Sequence, residues 1–160
     1  QGVAAEAVAP NAPTDLTVSI PTPPGWTKKE NPMLPATTLV LGKGEKFPRA
    51  ILSVVKLNGN FDSKEAIRHG VVDAQLSPNF RLLDASNEDY QGFPSSMVQG
   101  TYDMDGQRLH SWFRRVIATG SAPAEQRYLV QLAVTAPADE APKDATDVEA
   151  IMKGFTVTAK

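Results

Sequence analysis

The stretch QRLHSWFRRVIAT GSAPA EQRYLVQLAVTA, from Gln107 to Ala136, decides how the chain is organised. Two long apolar segments flank the turn-forming residues Gly120 to Ala124. Side chains two positions apart share one face of a strand, and in the second segment one face is almost wholly apolar. Its residues are Tyr128, Val130, Leu132 and Val134. We therefore predict that the two segments form the central antiparallel hairpin of a sheet.

The first segment of this hairpin carries apolar side chains on both of its faces. Leu109, Phe113 and Ile117 share one face, while Trp112 and Val116 lie on the other. A strand of this kind is usually covered from both sides. We therefore expect a helical or loop layer on each face of the sheet.

The rest of the chain reads as strands, a helix, further strands, a second helix and a last strand. Helical spacing and caps predict helices from Asp62 to Leu76 and from Asp144, as the cap, to Met152. Strand patterns cover the remaining segments. They are Leu16 to Ile20, Thr37 to Leu41, Arg49 to Leu57, Arg81 to Ser86, Phe93 to Tyr102 and Phe155 to Thr158. The order predicts an α+β fold with a central, mostly antiparallel sheet flanked by helices.

The first residues differ in composition from the rest. Residues 1–13 are mainly Ala, Val and Pro with one charge, so they have little to bury and are predicted to form a flexible tail. The following proline-rich segment should be extended, with Trp26 packed back onto the sheet. Residues 14–160 are predicted to form a single domain.

Composition excludes several classes of function. The net charge is -2 and no long basic run is present, so no attraction to nucleic acid is expected. The chain has no cysteine, which excludes disulfides and thiolate metal sites. No apolar run approaches the roughly 20 residues of a membrane helix, so we expect no transmembrane segment in this chain.

Several motifs, in the same order and spacing, resemble the LpqN/LpqT family of actinobacterial secreted proteins and lipoproteins. They are IPTPPGW (Ile20 to Trp26), VVKLNGNFD (Val54 to Asp62), GTYDMDGQRL (Gly100 to Leu109), YLVQLAVTA (Tyr128 to Ala136) and GFTVT (Gly154 to Thr158). The resemblance implies a PsbP-like α/β/α sandwich, export across the membrane and no catalytic residues to carry over.

The proline-rich start is most similar to the branch of this family that contains a proline-rich secreted T-cell antigen. The resemblance therefore implies an extracellular or cell-envelope protein that host immunity recognises. A lipid anchor would need a cysteine that this chain lacks, so the expectation is free secretion rather than anchoring.

One constellation could bind a ligand. Arg108, His110, Trp112 and Arg114 alternate along one strand, and Arg127 lies on the partner strand. Guanidinium groups donate in a fork and stack on aromatic faces, so this set could hold an anionic or aromatic ligand. The alternative is that the arginine stems only cover the apolar side of the sheet.

Other potential sites lack an essential part. His69 and His110 are the only histidines, and neither has acidic partners at metal-ligand spacing. Asp103 to Gly106 begins like a calcium loop but lacks the later ligands, so it is predicted to be a hairpin turn. Ser111 follows His110 directly, and adjacent strand residues point to opposite faces. We therefore expect no metal, no cofactor and no catalysis.

Two functional interpretations remain open. The first is an exported, non-enzymatic binding or interaction protein of the cell envelope, whose partner is an unknown protein. The second is a carrier of a small apolar or anionic amphipathic ligand in a pocket between sheet and helices. An enzyme would need a polar cleft with perturbed titratable groups, and the sequence offers no such set.

Overall fold

The computed structural model describes residues 4–59, 67 and 75–160. The elements in these ranges are strands β1 (Ala4–Val8), β2 (Leu16–Ser19), β3 (Thr27–Lys29), β4 (Leu39–Gly42), β5 (Arg49–Asn58), β6 (Arg81–Ser86), β7 (Ser95–Met104), β8 (Gln107–Thr119), β9 (Arg127–Pro137) and β10 (Thr156–Ala159), and helix α1 (Ala141–Gly154). In the same ranges, no helix is long and apolar enough to cross a membrane.

The main sheet has the strand order β3-β4-β5-β9-β8-β7-β6, and β1 pairs with β5 beside β4. Every pairing within it is antiparallel. The predicted central hairpin is confirmed: β8 and β9 pair continuously from Leu109 opposite Pro137 to Thr119 opposite Arg127. The α+β class with a mostly antiparallel sheet is also confirmed.

A cluster of buried apolar residues lies on one side of the sheet, which we call the helix face. Val130, Leu132 and Val134 of β9 point to this face and are at most 1% exposed. They pack with residues of α1 and of the small sheet formed by β2 and β10. Burying these apolar side chains provides the main stabilisation of the fold, at about 25 cal/mol per Å². The opposite side of the sheet is called the far face.

Trp26 closes one end of this core, as predicted from the proline-rich segment before it. Its ring is 4% exposed and belongs to the core cluster. Its indole Nε1 donates a hydrogen bond to Asp147 Oδ2 of α1 at 3.0 Å. The extended segment between β2 and β3 is thereby attached to the helix.

The prediction of a flexible tail needs correction over Ala4–Val8. This segment forms β1 and pairs with β5, from Ala4 opposite Asn58 to Val8 opposite Val54. The reason lies in the partner strand, because β4 pairs only with Arg49 to Leu52 and leaves the second half of β5 open. Backbone pairing there does not require a large apolar side chain.

The two predicted helices have different outcomes. The segment from Asp62 to Leu76 lies mostly outside the described residues, although Ile67 within it is helical and buried. Helix α1 begins at Ala141 rather than at Asp144, with proline near its start. Asp144 is therefore not the cap: it lies inside the helix and is 4% exposed, and burial raises the pKa of its carboxyl.

The predicted last strand is present as β10, Thr156–Ala159. Strand β10 pairs with β2 in a separate two-stranded sheet and does not extend the main sheet. Tyr90 and Gln91, in the loop between β6 and β7, hold this junction. The Tyr90 hydroxyl donates to Phe155 O at 2.6 Å, and Gln91 Oε1 accepts from Val157 N at 2.8 Å.

Candidate functional site

Four of the five predicted ligand-binding residues lie together on the helix face of β8. The His110 and Trp112 rings stack, with centroids 3.9 Å apart and an interplanar angle of 16°. The Gln99 side-chain amide lies 3.0 Å from His110 Nε2, and because that amide nitrogen can only donate, Nε2 accepts. Burial lowers the pKa of His110, which favours the neutral ring.

The two arginines of this group have different environments. Arg108 is occupied, because it donates to Asp103 Oδ1 at 3.0 Å and to Thr101 Oγ1 at 2.8 Å. Arg114 donates to Ser95 Oγ at 2.9 Å, and its guanidinium lies 4.3 Å from the centre of the Tyr90 ring. Burial lowers the pKa of Arg114. Arg114 is thus the cation that could bind an anion on this face.

The structure separates Arg127 from this group. Its cross-strand partner is Thr119, at the far end of the hairpin. Residues directly opposite each other in an antiparallel pair share a face, so Arg127 lies on the far face with the odd-numbered residues of β8. Including Arg127 in the set was wrong. It lies opposite an odd-numbered residue of β8, whereas the other four residues are even-numbered and lie on the helix face.

A second candidate site lies on the far face, where four strands align two neighbouring rows of side chains. The register places Ile51, Ala133, Phe113 and Val98 in one row, which we call the apolar row. The next row contains Ser53, Gln131, Arg115 and Ser96, which we call the polar row. Side chains of adjacent rows are about 7 Å apart, because they are two positions apart along each strand.

These two rows line a cavity of about 280 Å³, which we call the cleft. Six of the eight row residues are half-buried, so solvent reaches the cleft. The other two, Val98 and Ser96, are buried and form its floor. In the polar row, Arg115 Nη2 donates to Gln131 Oε1 at 3.0 Å, which orients the guanidinium. The cleft therefore offers an apolar floor beside one cation and two hydroxyls.

Sequence reasoning missed the cleft because the rows exist only once the registers of β5, β7, β8 and β9 are known. A signal was present in β8, where Phe113 and Arg115 are two residues apart and must share a face. The alternation of cations and rings along β8 predicts a site only on the face that carries Arg108 and Arg114. The cleft lies on the opposite face of the same strand.

Ser111 and His110 lie on opposite faces of β8, as their adjacent positions predict. The Ser111 hydroxyl is fully buried and hydrogen bonds to Tyr102 OH at 2.9 Å and to Thr135 Oγ1 at 2.8 Å. It lies on the far face, away from His110. Among the described residues no cluster of three or more His, Asp or Glu side chains could hold a metal; His69 lies outside them.

The predicted hairpin turn is confirmed in place of a calcium loop. Asp105 and Gly106 connect β7 to β8, and both have positive φ, at 53° and 75°. Such a pair is characteristic of a two-residue hairpin connection whose twist matches the flanking strands. The Asp103 carboxylate in the preceding strand accepts hydrogen bonds from Asn79 and Arg108, which lower its pKa.

Taken together, the fold and the cleft define an α+β sandwich with a small amphipathic cavity on one sheet face. A family described as "Probable lipoprotein LpqN" matches residues 1–158, and the chain belongs to this family. The family membership expected from the motifs is confirmed. The matched range includes β1.

Named relatives come from mycobacteria. The lipoprotein named LpqT of Mycobacterium tuberculosis is 57% identical over 159 residues, covering 99% of this chain and 70% of that protein. The "Proline-rich 28 kDa antigen" of the same organism is 37% identical, covering 99% of this chain and 52% of that protein. LpqT is thus the nearer of these two, whereas the proline content had pointed to the antigen.

Solved structures show the same fold at low sequence identity. A crystal structure of LpqN, described as involved in cell envelope biogenesis of Mycobacterium tuberculosis, has a TM-score of 0.79 and 20% identity, covering 99% of this chain and 92% of that one. The cyanobacterial PsbP protein of Synechocystis has a TM-score of 0.56 and 11% identity, covering 92% and 95%. The PsbP-like sandwich is therefore confirmed.

Proposed function

We propose that this chain is an exported binding protein of the cell envelope or its surroundings, and that the cleft holds a small anionic amphipathic ligand. Family membership and the names of the relatives, which are lipoproteins and antigens, support export and recognition by a host. The observation that carries the ligand proposal is the placement of the apolar row directly beside the polar row.

The chemistry of the cleft favours an amphipathic molecule over a fully polar one. Phe113, Ile51 and Val98 present hydrocarbon, so an alkyl or aryl group gains from leaving water there. Arg115 lies one row away; its guanidinium already has protein partners, so an acidic head group on the same molecule would share its donors with them. Its hydrogen bond to Gln131 fixes the donor direction before the ligand arrives, which reduces the entropic cost of binding.

The size of the cleft limits the ligand. At about 280 Å³ it lies at the lower end of the range of small-molecule pockets, which is about 300–1,000 Å³. One short chain or one ring system fits such a volume. The proposed role is therefore binding of one small amphiphile or of the end of a larger one.

The same geometry supports binding rather than catalysis. Within the described ranges, His110 is engaged by Gln99 and Trp112, and Ser111 is closed into a buried hydroxyl chain. A catalytic pair would need a nucleophile and a base within hydrogen-bond reach on one face. We propose that the protein has no catalytic role.

The helix face offers a second candidate site, with Arg114 and the stacked His110 and Trp112 rings. Arg114 makes no ion pair with a carboxylate in the described part of the chain. An anionic or aromatic ligand could use this cation and the neighbouring rings. A protein partner with an acidic side chain would meet the same chemistry.

A matched pair of substitutions separates the two sites. Arg114 and Arg115 are consecutive in β8 and point to opposite faces, so Arg114→Gln and Arg115→Gln remove the same charge from opposite sides of one strand. The probe is anilinonaphthalene sulfonate, an anionic aromatic amphiphile whose fluorescence rises in apolar surroundings. Its dissociation constant is measured for the parent chain and both variants, with decanoate as a competitor.

We expect Arg115→Gln to weaken probe binding about tenfold to a hundredfold, the equivalent of one charged hydrogen bond of about 1.5–3 kcal/mol. Arg114→Gln should leave the dissociation constant within about twofold. The opposite ranking would move the site to the helix face. Equal affinity in all three proteins, or no binding by the parent chain, would remove the ligand proposal.

A further inference from the structure

Strand β6 leaves one edge of the main sheet open. It is the last strand in the order, and the described residues place no strand outside it. Its first five residues are exposed, and Leu82 and Leu83 are each 46% exposed. An edge strand presents unpaired backbone N–H and C=O groups, so it can pair with another strand. Two exposed leucines at such an edge therefore need an explanation.

A β-bulge changes which side chains of β6 share a face. Arg81 is opposite Thr101 and Leu82 opposite Gly100, but the next paired residue, Asp84, is opposite Gln99. Leu83 is therefore the extra residue. Because Thr101 and Gln99 are two positions apart, Arg81 and Asp84 both lie on the helix face. Without the bulge they would point to opposite faces.

This arrangement makes the segment RLLD complementary to itself. When two copies of β6 are aligned antiparallel about a twofold axis, Arg81 of one copy lies opposite Asp84 of the other, and the reverse. Leu82 and Leu83 of one copy then lie opposite Leu83 and Leu82 of the other, between the two Arg–Asp pairs. Both charged residues lie on the same face in each copy, so the continuous sheet brings opposite charges together.

We propose that the β6 edge is a self-association surface, where a second copy of this chain adds antiparallel to form one continuous sheet. The alternative explanation is that the bulge and the charges prevent this edge from pairing with another chain. Charged side chains repel a second copy when like charges meet. At the other edge, Lys28 and Lys29 of the short strand β3 would face the same lysines, whereas Arg81 and Asp84 attract.

Other exposed apolar side chains extend this patch. Among the described residues the exposed large apolar side chains are Met33, Leu76, Leu82, Leu83 and Met104. The segments that carry Leu76 and Met104 come together near the start of β6, because Asp103 N donates to Pro78 O at 2.9 Å. The contact remains smaller than a standard interface of about 1,600 Å², so the dimer should be weak and reversible.

Sedimentation velocity of the 160-residue chain up to about 1 mM tests this proposal, since weak pairs of this size are populated at such concentrations. The variants are Arg81→Asp, Asp84→Arg and the double exchange Arg81→Asp with Asp84→Arg. Each single change sets like charges opposite each other twice. The double change restores opposite charges in both pairs.

We expect the parent chain and the double variant to form dimers of similar affinity, within about threefold, and each single variant to dimerise at least about tenfold more weakly. All three variants should fold normally, because both side chains are exposed; unfolding curves check this. The proposal would be overturned by a parent chain that is monomeric at about 1 mM, or by single variants that dimerise with the same affinity as the parent chain.

Discussion

The phenol of Tyr128 provides a quantitative test of the packing between the main sheet and the segment before β2. Tyr128 is 5% exposed, and its hydroxyl donates to Asp15 Oδ1 at 2.8 Å. Burial, then the hydrogen bond to Asp15 and its negative charge, raise the pKa of Tyr128 from 10.0 to about 12. The perturbation is Tyr128→Phe, which keeps the ring and removes the titrating group.

The size of the effect follows from the two pKa values. The folded state favours the neutral phenol, whereas the unfolded chain ionises near 10.0. At about 1.4 kcal/mol for each pKa unit, the difference corresponds to about 2–3 kcal/mol of unfolding free energy. Because the pKa is raised in the fold, this contribution is complete below pH 10.0 and is lost as the pH rises towards about 12.

The assay is urea unfolding of both proteins at a series of pH values, with tyrosinate absorbance followed in parallel. At neutral pH the variant should be less stable by about 1.5–3 kcal/mol, because the Asp15 carboxylate loses a donor. Between pH 10.0 and about 12 the parent chain should lose about 2 kcal/mol more than the variant. Parallel curves across that window would refute the reasoning.

Three further substitutions test other parts of the structure by chemical unfolding. Leu132→Ala removes a side chain that is 1% exposed and should cost about 2–5 kcal/mol, whereas Leu83→Ala at the exposed edge should stay within about 0.5 kcal/mol; equal effects would contradict the assigned core. Tyr90→Phe removes the donor to Phe155 O and should cost about 1 kcal/mol, with faster amide exchange in β10; unchanged exchange would argue against the junction. Gly100→Ala should cost about 1–3 kcal/mol, because its new Cβ would meet the Phe80 ring and lie 2.8 Å from Arg81 O; a neutral result would contradict the close approach of β6 to β7.

Much of the sheet was predictable from the sequence. The alternation in β9 and the Asp105-Gly106 pair located the central hairpin and the turn before it, because period and turn chemistry are local. Strand β5 was found from its β-branched residues. These signals require no knowledge of partner strands.

Features that depend on partner strands were not predictable. Strand β1 exists because the second half of β5 lacks another partner, and β3 is too short and polar to be recognised. The cleft needs the registers of four strands together. Arg127 was misplaced for the same reason, since its face is defined by the residue opposite it, Thr119.

The most direct test of the central claim is to map where an anionic amphiphile binds. Amide resonances of isotope-labelled protein are followed during titration with anilinonaphthalene sulfonate. The account predicts that the largest shifts occur along the cleft, at Ile51, Phe113, Arg115 and Gln131. Shifts centred on Thr101, Gln99 and the loop at Tyr90, with the cleft unaffected, would contradict it.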